Sequence, residues 1–160
     1  MGTLVICYSL EGSTRRLGEV LAKASGGELR EVKPHREIPR QGFGKYFIGG
    51  MQALFKQTPE IAPLNIDLAK YDLVLIGTPT WAGHLAPAMR SWLKHAGLSG
   101  KRVGLYATCQ GDVGGALRDM KALLPGCEVV GECGFVIKPG QEAAEAAQAT
   151  QWYQQISGKR

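Results

Sequence analysis

The sequence contains no uninterrupted apolar run that approaches the roughly 18 residues needed to span a bilayer. It also lacks a basic start and a small-residue cleavage site, because an apolar segment follows the first two residues directly. None of the four cysteines forms a CxxC pair, which argues against both a metal site and a disulfide framework. We therefore expect a cytoplasmic protein with free thiols, no membrane span and no bound metal.

Concentrated positive charge is also absent, although the net charge is +5. Lysine and arginine are spread along the chain, without a long basic run or interleaved aromatic residues. Nucleic-acid binding is therefore not expected. The positive charge fits an acidic protein partner or a phosphorylated small molecule equally well.

Short apolar runs, typical of strands, alternate along the chain with segments of helical periodicity. The 160 residues suit a single domain, residues 1–160. Five strands are predicted, each followed along the chain by a helix or a loop: residues 3–8, 28–32, 71–77, 103–108 and 127–137. In the last of these, Gly131 and Gly134 indicate a β-bulge. The alternation predicts an α/β fold, a doubly wound five-stranded parallel sheet within three αβα layers.

The region between Pro34 and Pro63 departs from this alternation. Six apolar or aromatic residues recur there at helical spacing and predict an amphipathic helix over about residues 43–55. The Gly49-Gly50 pair would weaken such a helix. It would either pack its aromatic face on the sheet or form a lid near a ligand.

Three unusual loops follow the first, third and fourth predicted strands, at residues 9–14, 78–84 and 108–115. In a parallel sheet the carboxyl ends of the strands share one edge, and ligands bind outside that edge. The sequence therefore predicts one pocket built by three loops.

The first loop places the hydroxyls of Ser9, Ser13 and Thr14 at the start of a helix. Backbone N–H groups and the helix dipole at such a position favour a phosphate monoester. The loop lacks both the GxxxxGK(S/T) and the GxGxxG patterns, so neither a nucleoside triphosphate nor a dinucleotide is indicated. An ordinary helix N-cap would explain the same hydroxyls.

The second and third loops carry side chains that fit a flat ligand. Trp81 follows a central strand and offers a flat face, although it would also suit packing against a neighbouring helix. His84 would contact the ligand edge or lie in solvent. Small residues near Asp112 allow close backbone approach, and Cys109 would be a reactive thiol or, lacking an evident base, a packing residue.

These loops together resemble those of the flavodoxin family, whose phosphate loop is usually (S/T)-x-(S/T)-G-x-(S/T). The three matching segments run in order along nearly the whole chain: Tyr8-Ser9-Leu10-Glu11-Gly12-Ser13-Thr14, Gly77-Thr78-Pro79-Thr80-Trp81-Ala82-Gly83 and Thr108-Cys109-Gln110-Gly111-Asp112. The resemblance implies sheet order 2-1-3-4-5 and non-covalently bound FMN. It assigns the cofactor contacts to Ser9, Leu10, Glu11, Gly12, Ser13, Thr14, Pro79, Thr80, Trp81, Ala82, Gly83, His84, Thr108, Cys109, Gln110, Gly111, Asp112 and Gly115.

Two features depart from the family pattern. Glu11 stands where flavodoxins usually carry a hydroxyl or neutral residue, so we expect its side chain to point outward, toward Arg15 or Arg16. The net positive charge differs from the acidic character common in flavodoxin electron carriers, which puts their usual basic partners in doubt.

Three functions follow from the resemblance. The first is an FMN-binding redox protein that carries electrons between partner proteins, with no catalytic residue of its own and with an acidic redox partner protein. The second is an NAD(P)H-dependent quinone reductase of the same fold, acting on a small quinone-like substrate. The third is a flavin-free binding or regulatory module.

Overall fold

A computed structural model describes residues 2–37, 51 and 56–158 of the protein. Its strands are β1 (Gly2–Cys7), β2 (Glu28–Glu31), β3 (Tyr71–Trp81), β4 (His84–Leu85), β5 (Arg102–Cys109) and β6 (Glu128–Val136). Its described helices are α1 (Ser13–Ser25), α2 (Pro87–His95), α3 (Ala116–Ala122) and α4 (Glu142–Ser157), with a 3-10 turn at Leu68–Lys70. Strands and helices alternate along the chain as predicted.

The sheet has the order β2-β1-β3-β5-β6, and all neighbouring strands along this path are parallel. The two-residue strand β4 lies off the path and pairs antiparallel with β3. Leaving β4 aside, this is the predicted order 2-1-3-4-5, so the flavodoxin-like fold class is confirmed.

The second predicted loop differs from its expected form. Residues 78–81 belong to β3, and His84 pairs with Trp81 across a short hairpin. The turn residues Ala82 and Gly83 have φ angles of 50° and 76°. Positive φ at both central residues is what a two-residue hairpin turn needs to follow the strand twist. The prediction of a loop over 78–81 was wrong, because Thr78 and Pro79 continue the parallel pairing with β5 and Thr80 and Trp81 pair with the returning strand.

The core lies on both faces of the sheet. Leu4 and Ile6 of β1 face one side, together with Met89 of α2 and Met120 of α3. The intervening residues Val5 and Cys7 face the other side, with apolar residues of α1 and α4: Leu17, Leu21, Ala149, Trp152 and Ile156. Because successive residues of a strand face opposite sides, a strand buried on both faces is apolar throughout.

The strand β6 contains the predicted β-bulge. Val103 pairs with Val129, whereas the next residue, Gly104, pairs with Gly131, so Val130 is the extra residue. A Cβ atom on Gly131 would lie 2.4 Å from the Ile156 side chain. Glycine at this position therefore allows α4 to pack closely on the sheet.

The predicted helix over about residues 43–55 lies outside the described residues except for Met51, and it stays a prediction. None of the helices in the described ranges combines the length and the apolar character needed to cross a membrane. In the same ranges no three His, Cys, Asp or Glu side chains cluster as metal ligands would, and all four cysteines are free.

Candidate functional site

A cavity of about 520 Å³ opens at the carboxyl edge of the sheet. All three predicted loops contribute to it, and the segment after β6 completes it. The lining residues are Ser9, Leu10, Glu11, Ser13, Thr14, Pro79, Thr80, Trp81, Ala82, Thr108, Cys109, Gln110 and Ile137. The topology thus brings together residues that are up to 128 positions apart in the sequence (from Ser9 to Ile137).

The lining does not match the sequence assignment completely. Six residues assigned to the site do not line the cavity: Gly12, Gly83, His84, Gly111, Asp112 and Gly115. Ile137 lines it but was not assigned. Ile137 could have been assigned from the sequence, because it directly follows the fifth parallel strand, whose carboxyl end lies at the same edge of the sheet.

The first loop leaves the start of α1 without a capping side chain. The N-cap residue is Gly12, with a φ angle of 104°, and its N–H donates a hydrogen bond to Ser9 Oγ over 3.0 Å. Ser13 and Thr14, in the first helical turn, line the cavity. The positive end of the α1 dipole therefore lies at the cavity wall, where it would stabilise an anion.

The hydroxyl of Thr14 does not cap its own helix. Its Oγ1 lies 2.7 Å from Oγ1 of Thr108, which is on β5. Both residues line the cavity, and their side chains are otherwise buried. The first and third loops are therefore joined by a hydroxyl pair at the cavity wall.

Glu11 is exposed and is one of the lining residues. Each of the two arginines expected to attract it pairs with another acidic side chain. Arg15 pairs with Glu19, its Nε lying 3.1 Å from Oε1, and Arg16 pairs with the buried Glu145 of α4. Glu11 therefore contributes a carboxylate to the cavity lining.

Trp81 combines the two roles that the sequence left open. Its ring meets the buried Tyr8 edge to face, with centroids 5.5 Å apart and planes at 80°. It packs against the core cluster on the α2 side of the sheet and also lines the cavity. The Tyr8 hydroxyl donates to Glu37 Oε1 over 2.6 Å. A ring held in this way presents a fixed aromatic surface.

His84 lies outside the cavity lining, in contact with α3. Its Nδ1 is 2.9 Å from Asp119 Oδ2, and the Leu85 N–H donates to the same oxygen over 3.3 Å. The buried Arg90 places Nη2 3.8 Å from that oxygen. Asp119 therefore orients the imidazole, a contact that the sequence did not indicate because the two residues lie in separate elements.

The second and third loops touch through their backbones. The Gly115 N–H donates to the Gly83 carbonyl oxygen over 2.8 Å. A Cβ atom on Gly114 would lie only 2.8 Å from Gly83 Cα, and the φ angle of Gly114 is 51°. Glycine in the third loop is therefore needed to seat it against the hairpin turn.

Cys109 is buried at the cavity wall, where its Sγ lies 3.6 Å from the Phe135 carbonyl oxygen. Burial raises the pKa of its thiol, and the charge of Asp112 adds to this, while a hydrogen bond from the Gly111 backbone opposes it. The residue is therefore a protonated thiol near neutral pH. This favours the packing interpretation over a nucleophile.

Sequence comparison agrees with this geometry. The family model described as flavodoxin matches residues 2–155, which is nearly the whole chain. The chain belongs to the flavodoxin family.

Solved structures of similar proteins extend the comparison. A flavoprotein from Lactobacillus acidophilus NCFM, in complex with FMN, is 24% identical with a TM-score of 0.75, covering 94% of this chain and 97% of its own. The apo form of the flavoprotein from that organism is 26% identical with a TM-score of 0.63, covering 90% and 96%. Oxidised Flavodoxin 1 from Bacillus cereus is 15% identical with a TM-score of 0.62, covering 100% and 99%. This member of the flavodoxin family thus shares its fold with solved flavoproteins and flavodoxins.

Proposed function

We propose that this protein binds FMN non-covalently in the three-loop cavity and carries electrons between partner proteins. The observation that carries the proposal is the pairing, within one cavity, of an uncapped helix start with a fixed tryptophan ring. The helix start suits a phosphate and the ring suits a planar aromatic ligand. FMN contains both groups, and family membership and the FMN complex of a similar flavoprotein support it.

The residues present fit this cofactor. Ser9, Ser13 and Thr14 would hold the phosphate with hydroxyls and backbone N–H groups, and Trp81 would face the isoalloxazine. Thr80 Oγ1 is buried at the cavity and has no hydrogen-bond partner in the described part of the chain. A buried polar atom without a partner is costly, so a ligand with a polar ring edge would complete its hydrogen bonding.

Bound FMN supplies the electron chemistry, and the chain positions it and shields it from water. Among the lining residues that the structure describes, the ionisable side chains are those of Glu11 and Cys109. Glu11 is exposed, and burial keeps Cys109 protonated. Electron transfer requires no acid or base at the cavity wall, so this lining supports a carrier. Given the net charge of +5, we expect an acidic partner protein.

One observation favours a second candidate, an NAD(P)H-dependent quinone reductase. Asp119 Oδ2 lies 2.9 Å from Nδ1 of His84 and orients the ring, so Nε2 is the ring nitrogen left for proton exchange with a ligand. His84 follows the lining residue Ala82 by two positions. An oriented histidine beside a cofactor loop is a common proton donor or acceptor in enzymes.

The test begins with the visible spectrum of the purified protein and identification of any flavin released on denaturation. Titration of the apoprotein with FMN should give stoichiometric binding, whereas a colourless protein that fails to bind FMN would overturn the proposal and favour a flavin-free module. The loaded protein is then incubated with NAD(P)H and a small quinone. Steady oxidation that Asp119→Asn reduces would favour the reductase, and absence of turnover would favour the carrier.

A further inference from the structure

Tyr106 of β5 lies beneath the cavity without lining it. Its side chain is fully buried, and its hydroxyl donates to the Thr14 carbonyl oxygen over 3.1 Å. Burial, followed by the neighbouring Cys7 thiol, raises the pKa of Tyr106 well above its ordinary value. The hydroxyl therefore keeps its proton and remains a donor. Its acceptor lies in the first turn of α1, the turn at the cavity wall.

The fold makes room for this side chain at two glycines. Gly77 pairs with Tyr106 across the sheet, and a Cβ atom there would lie 2.0 Å from Cζ of the tyrosine ring. The ring therefore passes directly over β3. On α1, a Cβ atom on Gly18 would lie 3.0 Å from the tyrosine hydroxyl. Glycine at position 77 therefore leaves space for the ring, and glycine at position 18 lets the hydroxyl approach α1 closely.

The same strand contacts α1 a second time, through Thr108. Residues 106 and 108 face the same side of β5, because side chains alternate along a strand. Tyr106 holds the Thr14 backbone, and Thr108 holds the Thr14 hydroxyl at 2.7 Å. Thr14 is therefore fixed at both its backbone and its side chain by one strand.

This arrangement leaves one donor for a ligand. Two hydroxyls have two hydrogens, and the Thr14–Thr108 hydrogen bond uses one of them whichever residue donates. The other hydrogen remains for an acceptor in the cavity that both residues line. A phosphate is such an acceptor, whereas the unphosphorylated ribityl chain of riboflavin places no anion there.

We propose that Tyr106 is a positioning residue that holds the first turn of α1 for phosphate binding, so that it contributes to the preference of the protein for FMN over riboflavin. This inference rests on the proposed FMN function. Tyr106 acts through Thr14 and does not touch the ligand itself.

The test measures dissociation constants for FMN and riboflavin, by flavin fluorescence quenching, in the wild-type apoprotein and in Tyr106→Phe. The variant keeps the ring and removes only the hydroxyl. The constant for FMN should rise about fivefold, the equivalent of one neutral hydrogen bond, while that for riboflavin changes less than about twofold. If Tyr106 had a purely structural role, the variant would bind both flavins more weakly, by the same factor.

The matched control is Tyr71→Phe, which removes a hydroxyl that donates to Glu28 over 2.6 Å at the opposite end of β3. It should leave both constants unchanged. If Tyr106→Phe fails to fold, Gly18→Ala, which crowds the Tyr106 hydroxyl without changing a cavity-lining residue, should show the same loss of preference. Equal weakening of both flavins, or no change, would overturn the inference. A wild-type protein that binds neither flavin would instead refute the proposed function, and the inference with it.

Discussion

Glu145 supports the segment after β6 that contributes Ile137 to the cavity, and its replacement allows a quantitative prediction. This residue of α4 is buried, with a side chain only 5% exposed. Its Oε1 accepts from the Lys138 backbone N–H over 2.9 Å, and its Oε2 accepts from Arg16 Nη2. One carboxylate therefore connects α4, the start of α1 and the segment that contributes Ile137 to the cavity.

Glu145→Gln should destabilise the protein by about 2 kcal/mol at neutral pH, because hydrogen bonds to charged groups each contribute about 1.5–3 kcal/mol. The glutamine oxygen can still accept from Lys138, so only the contact with Arg16 is lost. The Arg16 side chain is 30% exposed, so water offsets part of that loss. For a protein of this size the melting temperature should fall by about 4–8 °C.

The loss of stability caused by Glu145→Gln should depend on pH in a defined direction. Burial disfavours the charged form of Glu145, but the hydrogen bonds from Lys138 and Arg16 outweigh it and lower the pKa below its ordinary value of 4.5. A carboxylate with a lowered folded-state pKa stabilises the fold above the unfolded-state pKa and loses this contribution as pH falls through the folded-state pKa. The difference between wild type and Glu145→Gln should therefore be constant above pH 4.5 and shrink below it.

Urea denaturation of both proteins at several pH values measures this difference. The control is Glu142→Gln, in the same first turn of α4 but exposed, which should change stability by less than about 0.5 kcal/mol. A cost for Glu145→Gln no larger than the control, or a cost that does not decrease in acid, would refute the reasoning.

Three further predictions concern the site and its support. Trp81→Ala should weaken FMN binding by about 1–3 kcal/mol in a fluorescence titration, the range for a lost stacking partner, and an unchanged affinity would mean that the ring only packs. Gly77→Ala should cost about 3 kcal/mol in urea denaturation, because the new methyl group would lie 2.0 Å from the Tyr106 ring; a cost below about 1 kcal/mol would contradict that contact. Cys109 should react slowly with iodoacetamide near neutral pH, since its pKa lies above the ordinary 9.0, and FMN should slow it further. Mass spectrometry follows the labelling, and rapid reaction, or no protection by FMN, would count against its place in the cavity wall.

The parts of the fold that the sequence predicted are those governed by local pattern. Strands buried on both faces are apolar throughout, and helices repeat every three to four residues, so β1, β3 and α1 were recognisable without tertiary information. The convergence of three loops followed from the rule that parallel strands end at one edge. The hairpin at Trp81 and His84 was missed, because Pro79, Ala82 and Gly83 indicate a loop whether or not the chain pairs with itself.

The residues whose roles the sequence did not indicate are linked by contacts between elements that are distant along the chain. His84 and Asp119 are 35 residues apart, and Tyr106 and Thr14 are 92 apart, with no local pattern that marks either pair. Gly77 and Gly18 look like ordinary glycines until the tyrosine ring that crosses them is placed. The loops at the cavity therefore carry the recognisable motif, whereas their precise spacing depends on the strand beneath them. We infer that β5 contributes to phosphate affinity alongside the hydroxyl loop, and comparing Tyr106→Phe with Thr14→Val would measure the two contributions separately.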